Sequence, residues 1–141
     1  MSKNTKQLSP DAPASQQGIH INCDMGESYG RYTLIDDATL MPHIDACNIA
    51  CGYHAGDPVV IDRTIRQAKE AGLEIGAHPS YPDRQGFGRR TMDISGSELM
   101  PLIKYQICAL MGMAKTHGVD ITHVKVHGAL YNRAAAHLQT A

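Results

Sequence analysis

Four short stretches set titratable side chains among glycines and other small residues. They are "CDMGES" with Asp24 and Glu27, "CGYHAGD" with His54 and Asp57, "GAHPSYPD" with His78 and Asp83, and "VKVHGALYN" with Lys125 and His127. Histidine exchanges a proton near neutral pH, a neighbouring carboxylate orients it or binds a cation, and lysine balances an anionic group. Taken singly, each has a bland explanation. A histidine beside a strand is more often hydrogen-bonded structure than a catalyst, and Asp57 before Pro58 is a helix N-cap. Three histidines and two acids recurring at equivalent places are harder to obtain from packing alone, and point to proton transfer or cation binding.

The elements around these stretches explain why they could meet. Each follows a short apolar run that reads as a strand: 18–24, 45–51, 73–77 and 122–128. "DDATLMPHI" reads as a short helical turn broken at Pro42. A helix is expected from Pro58 to Ala71, with Ile61, Ile65 and Ala68 on one face and Gly72 as its stop. A second starts near Ser97 with the stripe Leu99, Ile103, Ile107, Leu110 and Ala114, ends before Gly118, and is distorted at Pro101. "ALYNRAAAHLQTA" begins another. Strand and helix in alternation predict parallel strands joined by right-handed crossovers, an α/β sheet or barrel. In such folds ligands sit at the carboxyl ends of the strands, where these residues fall.

Composition narrows the function. The chain has 141 residues, 43% of them hydrophobic, enough for one domain with a core over 19–141. The polar stretch 1–18 lacks the apolar segment of a secretory signal and reads as a flexible tail. With 13 basic and 14 acidic residues and no long charge run, neither nucleic acid nor an anionic membrane is an expected partner. No apolar run reaches bilayer length, so a cytoplasmic protein is expected. Cys23, Cys47, Cys51 and Cys108 all lie in apolar segments and are expected to be buried, inert thiols; the Cys47/Cys51 pair lacks a second pair at zinc-finger spacing. Arg89 and Arg90 in "GFGRR" suit a carboxylate or phosphate clamp as well as a solvated surface, and Asn132 suits substrate binding or a helix cap.

Read together, "NCDMGESYG", "NIACGYHAGDP", "GAHPSYPDRQGFGRR", "YQICAL" and "VKVHGALYN" resemble the LamB/YcsF family of 5-oxoprolinase A subunits, in order and at matching spacing from Ile19 to Asn132. The resemblance implies an incomplete, TIM-like β/α barrel related to polysaccharide deacetylases. It also implies ATP-dependent opening of 5-oxoproline to L-glutamate with two partner subunits. Carried over by position, Asp24, Glu27, His54, His78 and His127 would line the catalytic pocket, with Lys125 available to balance substrate or phosphate charge. His54 or His78 is the expected base, and Arg89, Arg90 and Asn132 are expected to join Lys125 in binding substrate. Val126 stands where the family usually has proline, which loosens the backbone beside Lys125 and His127.

Two other readings remain open. One is a metal-dependent amide or carbohydrate hydrolase with Asp24, His54 and His78 around a divalent cation. The other is a non-catalytic fragment. Family members continue past the point where this sequence stops, so it resembles the amino-terminal, four-strand portion of the barrel. An open strand edge would then favour self-association and leave the chain without activity alone.

Overall fold

In the computed structural model, residues 18–138 and 140–141 are described; the expected tail lies outside them apart from Gly18. Four parallel strands, β1 (Asn22–Met25), β2 (Ala46–Ala50), β3 (Glu74–His78) and β4 (His123–Val124), form one sheet in the order β1-β2-β3-β4. Each strand pairs with the next in sequence, so the chain winds in one direction, as in a β/α barrel wall, and does not reverse as in a doubly wound sheet.

Strand alternation divides the sheet by chemistry. Cys47, Ile49, Ile75 and Ala77 face outward and pack with Met25, Ile61, Ile65, Leu110 and Ala114 in the main core. Burying side chains such as Ile65 and Ile75 stabilises the fold by about 1.5–3 kcal/mol each. The opposite parity carries Asn22, Asp24, Asn48, Gly76, His78 and His123, which is a polar inner face. Asn48 donates to Asn22 Oδ1 and Asp24 Oδ1 at 2.9 Å each, and its Oδ1 accepts from His123 Nε2 at 2.8 Å. Gly76 makes room for this, because a Cβ there would collide with the His123 ring.

The helices follow local signals. α1 (Asp37–Leu40) begins at Asp36, whose side chain accepts from the Ala38 N–H, and runs into a 3₁₀ turn, Met41–His43, containing Pro42. α2 (Pro58–Ala71) has the expected bounds. Asp57 accepts from Val59 and Val60 N–H, and Gly72 closes the helix in the left-handed region at φ 75°.

α3 (Gly96–Thr116) buries Gln106, Leu110 and Ala114, while Leu99 and Ile103 pack on a second cluster of Tyr81, Ala129 and Leu130. Pro101 lies inside this helix and not in its first turn; without an N–H it leaves the Ser97 carbonyl without a helical donor. Cys108 is exposed, contrary to expectation, because two helical positions after the buried Gln106 turn it to the opposite side. Cys23 is only partly buried.

Two strands are shorter than expected. Ile19 and Ile21 remain exposed, and pairing begins only at Asn22 opposite Ala46. β4 is reduced to two residues, although Lys125 N–H still bonds Ala77 O and His127 N–H bonds Pro79 O. α4 (Gly128–Ala136) then takes over directly. No described helix is long and apolar enough to cross a membrane.

Candidate active site

The loops after the four strands converge on a histidine cluster. After β1, the Gly26 N–H donates to Asp37 Oδ2 at 2.9 Å, which fixes the turn that presents Glu27. After β2, a tight turn closed by Gly52 N–H to Ala55 O inserts His54, which is 1% exposed. His78 ends β3, and His127 is the N-cap residue of α4. The 83–90 loop packs over them. A Cβ on Gly88 would lie 2.8 Å from His127 and 2.9 Å from His54, and one on Gly128 would lie 2.5 Å from Gly88 O. These glycines allow the backbone to touch the rings.

The rings are held on nearly every side. His54 and His127 stack with centroids 3.8 Å apart and 4° between planes, and His78 and Phe87 meet both edge-on. His54 Nε2 lies 3.0 Å from Glu27 Oε1, while its Nδ1 is buried with no partner. His78 Nδ1 donates to Lys125 O at 2.5 Å, and His127 Nε2 donates to Phe87 O at 2.8 Å. Phe87 adopts φ 54°, a strained value for a residue with a Cβ. The remaining nitrogens, His78 Nε2 and His127 Nδ1, face one another at 2.9 Å.

Asp24 joins this group from β1. Its Oδ2 lies 3.3 Å from His78 Nε2, and its Oδ1 accepts from Lys125 Nζ at 2.7 Å and from Asn48. Burial alone would raise this carboxyl, but its contact with His78 and the hydrogen bond from Lys125 outweigh it and hold it well below the usual carboxylate range. Burial, then the neighbouring His54 and His78, push His127 down to about 4. Burial also lowers His54, against the opposing pull of Glu27. His127 is thus a neutral ring near pH 7, with a lone pair on Nδ1 able to accept a proton or a cation.

Of the residues expected in the site, Asp24, His78, Lys125, His127, Arg89 and Asn132 line one cleft of about 260 Å³. Glu27 and His54 instead line an adjoining depression with Tyr29, Arg84 and Phe87. A larger cleft of about 420 Å³ shares Arg89 and Asn132 but none of the cluster. Arg90 turns away: its guanidinium and N–H hold Asp83. Asp57 and Asp83 are structural, since Asp57 caps α2 and accepts from the Gly30 N–H at 2.7 Å. Asn132 lies inside α4, so it caps nothing.

Glu27, His54, His78 and His127 each offer a ligand atom, all within 4.8 Å of one another, a group compatible with a divalent metal. Asp24 lies outside that group, so these four differ from the Asp24, His54 and His78 set expected from sequence. Sequence reasoning missed Asn48, His123 and Phe87. Asn48 alone left a trace, as a polar residue in the middle of the apolar run "ACNIAC".

Comparisons with known proteins agree with this architecture. Residues 19–141 match the LamB/YcsF family. The chain is 52% identical over 118 residues to a 5-oxoprolinase A subunit of Ralstonia nicotianae, covering 84% of this chain and 45% of that protein. It is 54% identical over 114 residues to the 5-oxoprolinase A subunit of Pyrococcus abyssi, covering 81% and 45%. The crystal structure of the lactam utilization protein from Thermus thermophilus superposes with a TM-score of 0.86 at 42% identity, over 88% of this chain and 50% of that one. The chain spans about half the length of the curated relatives it matches. A family match over residues 19–141, with the same fold as a structure 42% identical, places this chain in the LamB/YcsF family.

Proposed function

We propose that this chain supplies catalytic residues of a 5-oxoprolinase, as the A component that opens the lactam of 5-oxoproline to L-glutamate together with two partner subunits in the cytoplasm. The observation that carries the reading is the convergence of Asp24, His78 and His127 on one cleft at the carboxyl ends of parallel strands. Relatives named as 5-oxoprolinase A subunits support it.

A five-membered lactam is a stable amide, so opening it needs an activated carbonyl, a base for water and a group to steady the developing oxyanion. ATP, bound through the assembled complex, would supply the phosphorylation that activates the carbonyl. His78, with Asp24 beside its Nε2, is placed to accept a proton from water in the cleft. Lys125 is placed to balance negative charge. Arg89 lines the same cleft and has no ion-pair partner among the described residues, which suits the substrate carboxylate. His54 is too buried to meet substrate directly and acts by orienting Glu27.

The test supplies the chain with both partner subunits and ATP, and measures glutamate released from 5-oxoproline. Release should require the chain, and Arg89→Ala should raise KM more than it lowers kcat. Undiminished release when the chain is left out would end the proposal. The donor group around His78 also favours a second reading, a metal-dependent amide hydrolase, which would turn over without ATP and stop on chelation.

A further inference from the structure

The contact between His78 and His127 poses a chemical problem. A carbonyl oxygen only accepts hydrogen bonds, so the bond to Lys125 O places a proton on His78 Nδ1, and the bond to Phe87 O places one on His127 Nε2. In neutral rings the other two nitrogens then carry lone pairs. Those nitrogens, His78 Nε2 and His127 Nδ1, face one another at 2.9 Å. Two lone pairs at that distance repel unless something positive lies against both.

We propose that His78 Nε2 and His127 Nδ1, with the Glu27 carboxylate, form a binding site for one divalent first-row transition-metal cation. The separation fits. A metal about 2.0–2.1 Å from each nitrogen would subtend an angle of about 90° across this gap, the arrangement of neighbouring ligands in a five- or six-coordinate site. Both rings donate their far N–H to a main-chain carbonyl, which is how ligating histidines are fixed in tautomer and orientation. The strained Phe87 backbone aims one of those carbonyls.

The ligand atoms of Glu27, His78 and His127 lie within 4.8 Å of one another. Imidazole with carboxylate suits zinc, manganese, iron or cobalt better than magnesium or calcium. His54 enters this arrangement as a positioning residue. Its Nε2 holds Glu27 Oε1 and its ring stacks on His127. Asp24, already bound by Lys125 and Asn48, lies beside His78 Nε2 and balances charge at the site.

The site takes the same His78 Nε2 that serves as base in the proposed reaction, so the two roles belong to the metal-bound and the metal-free chain respectively; occupancy is read without turnover, so an absence of binding would leave the lactam reading intact. The 141-residue chain, stripped by chelator and dialysed, is titrated with Zn²⁺ by calorimetry and with Co²⁺ by visible absorption. One equivalent should bind saturably, and Co²⁺ should develop ligand-field bands. His127→Ala should weaken binding by at least about 100-fold, as loss of a direct ligand exceeds the 10–100-fold cost of losing an outer partner. Changing the exposed His43 to Ala should leave binding unaltered.

Imidazole ¹⁵N spectra of the unmutated chain keep the test independent of how the variants fold. Zn²⁺ should shift His78 Nε2 and His127 Nδ1 while their far nitrogens stay protonated. No saturable binding at millimolar Zn²⁺, with one ring of the pair carrying two N–H groups at neutral pH, would assign the gap to a shared proton and overturn the metal site. Full-affinity binding by a folded His127→Ala variant would overturn it equally.

Discussion

Lys125 Nζ lies 2.7 Å from Asp24 Oδ1, although the two residues belong to opposite edges of the sheet. Three strand spacings would separate β1 from β4 by about 14 Å in a flat sheet, too far for two side chains standing off one face to meet. The sheet therefore curls as a barrel wall does, and the pair ties its first strand to its last. Replacing Lys125 by Met should cost less than about 1 kcal/mol of stability, because both side chains are partly solvated. Turnover should fall much further, by about 10-fold or more, as Asp24 loses a partner that fixes its carboxylate beside His78. Urea midpoints and kcat measured on the same variant separate the effects, and a stability loss without a turnover loss would contradict them.

Gly88 and Gly118 both have left-handed φ, 66° and 68°, but only Gly88 faces side chains. Alanine at either position should cost about 1–2 kcal/mol through backbone strain. Gly88→Ala must also push His127 and His54 apart, so it alone should abolish turnover in a folded protein. Thermal melts and assays of the two variants check this, and equal activity in both would refute the role assigned to the close approach.

Asp83 is pushed down to about 2, first by the Arg90 side-chain hydrogen bond and then by the Gly86 and Arg90 N–H groups. An unfolded aspartate titrates near about 3.9, so the unfolded chain binds the proton first as pH falls. The contribution of Asp83 to stability should be complete above about pH 4 and fade toward pH 2. Denaturant unfolding of wild type and Asp83→Asn should differ above that window and converge below it. A difference independent of pH would exclude the carboxylate as its source.

Burial pushes the Cys47 and Cys51 thiols up to about 12, whereas Cys108 is exposed. A raised value keeps the thiol protonated, and the thiolate is the nucleophile. Iodoacetamide near neutral pH should label Cys108 first and leave Cys47 and Cys51 unmodified until the chain unfolds. Peptide mass spectrometry after timed labelling reads the order; native labelling of Cys47 would contradict the packing of β2.

What could be read from sequence was what depends on neighbours along the chain. α2 was legible at both ends because Asp57, Pro58 and Gly72 act within a few residues. β4 was not, because its length depends on how far β3 offers partners before α4 starts at Gly128. The strand-end histidines were visible as residues, but their tautomers depend on Lys125 O and Phe87 O, and Phe87 lies 40 residues from His127. Asn48 is a polar residue in an apolar strand, and only the register with β1 turns it toward Asp24. Arg90 read as half of a clamp until the loop folded it onto Asp83.

In the proposed lactam opening, His78 and His127 act as one unit through their Nε2–Nδ1 contact. The most direct test is kcat for glutamate release from 5-oxoproline, with partner subunits and ATP present, for His78→Ala, His127→Ala and the double variant. Groups that act as a unit give non-additive losses, so each single variant should lose about 100-fold or more and the double variant little beyond either. Wild-type turnover by either folded single variant would contradict the account.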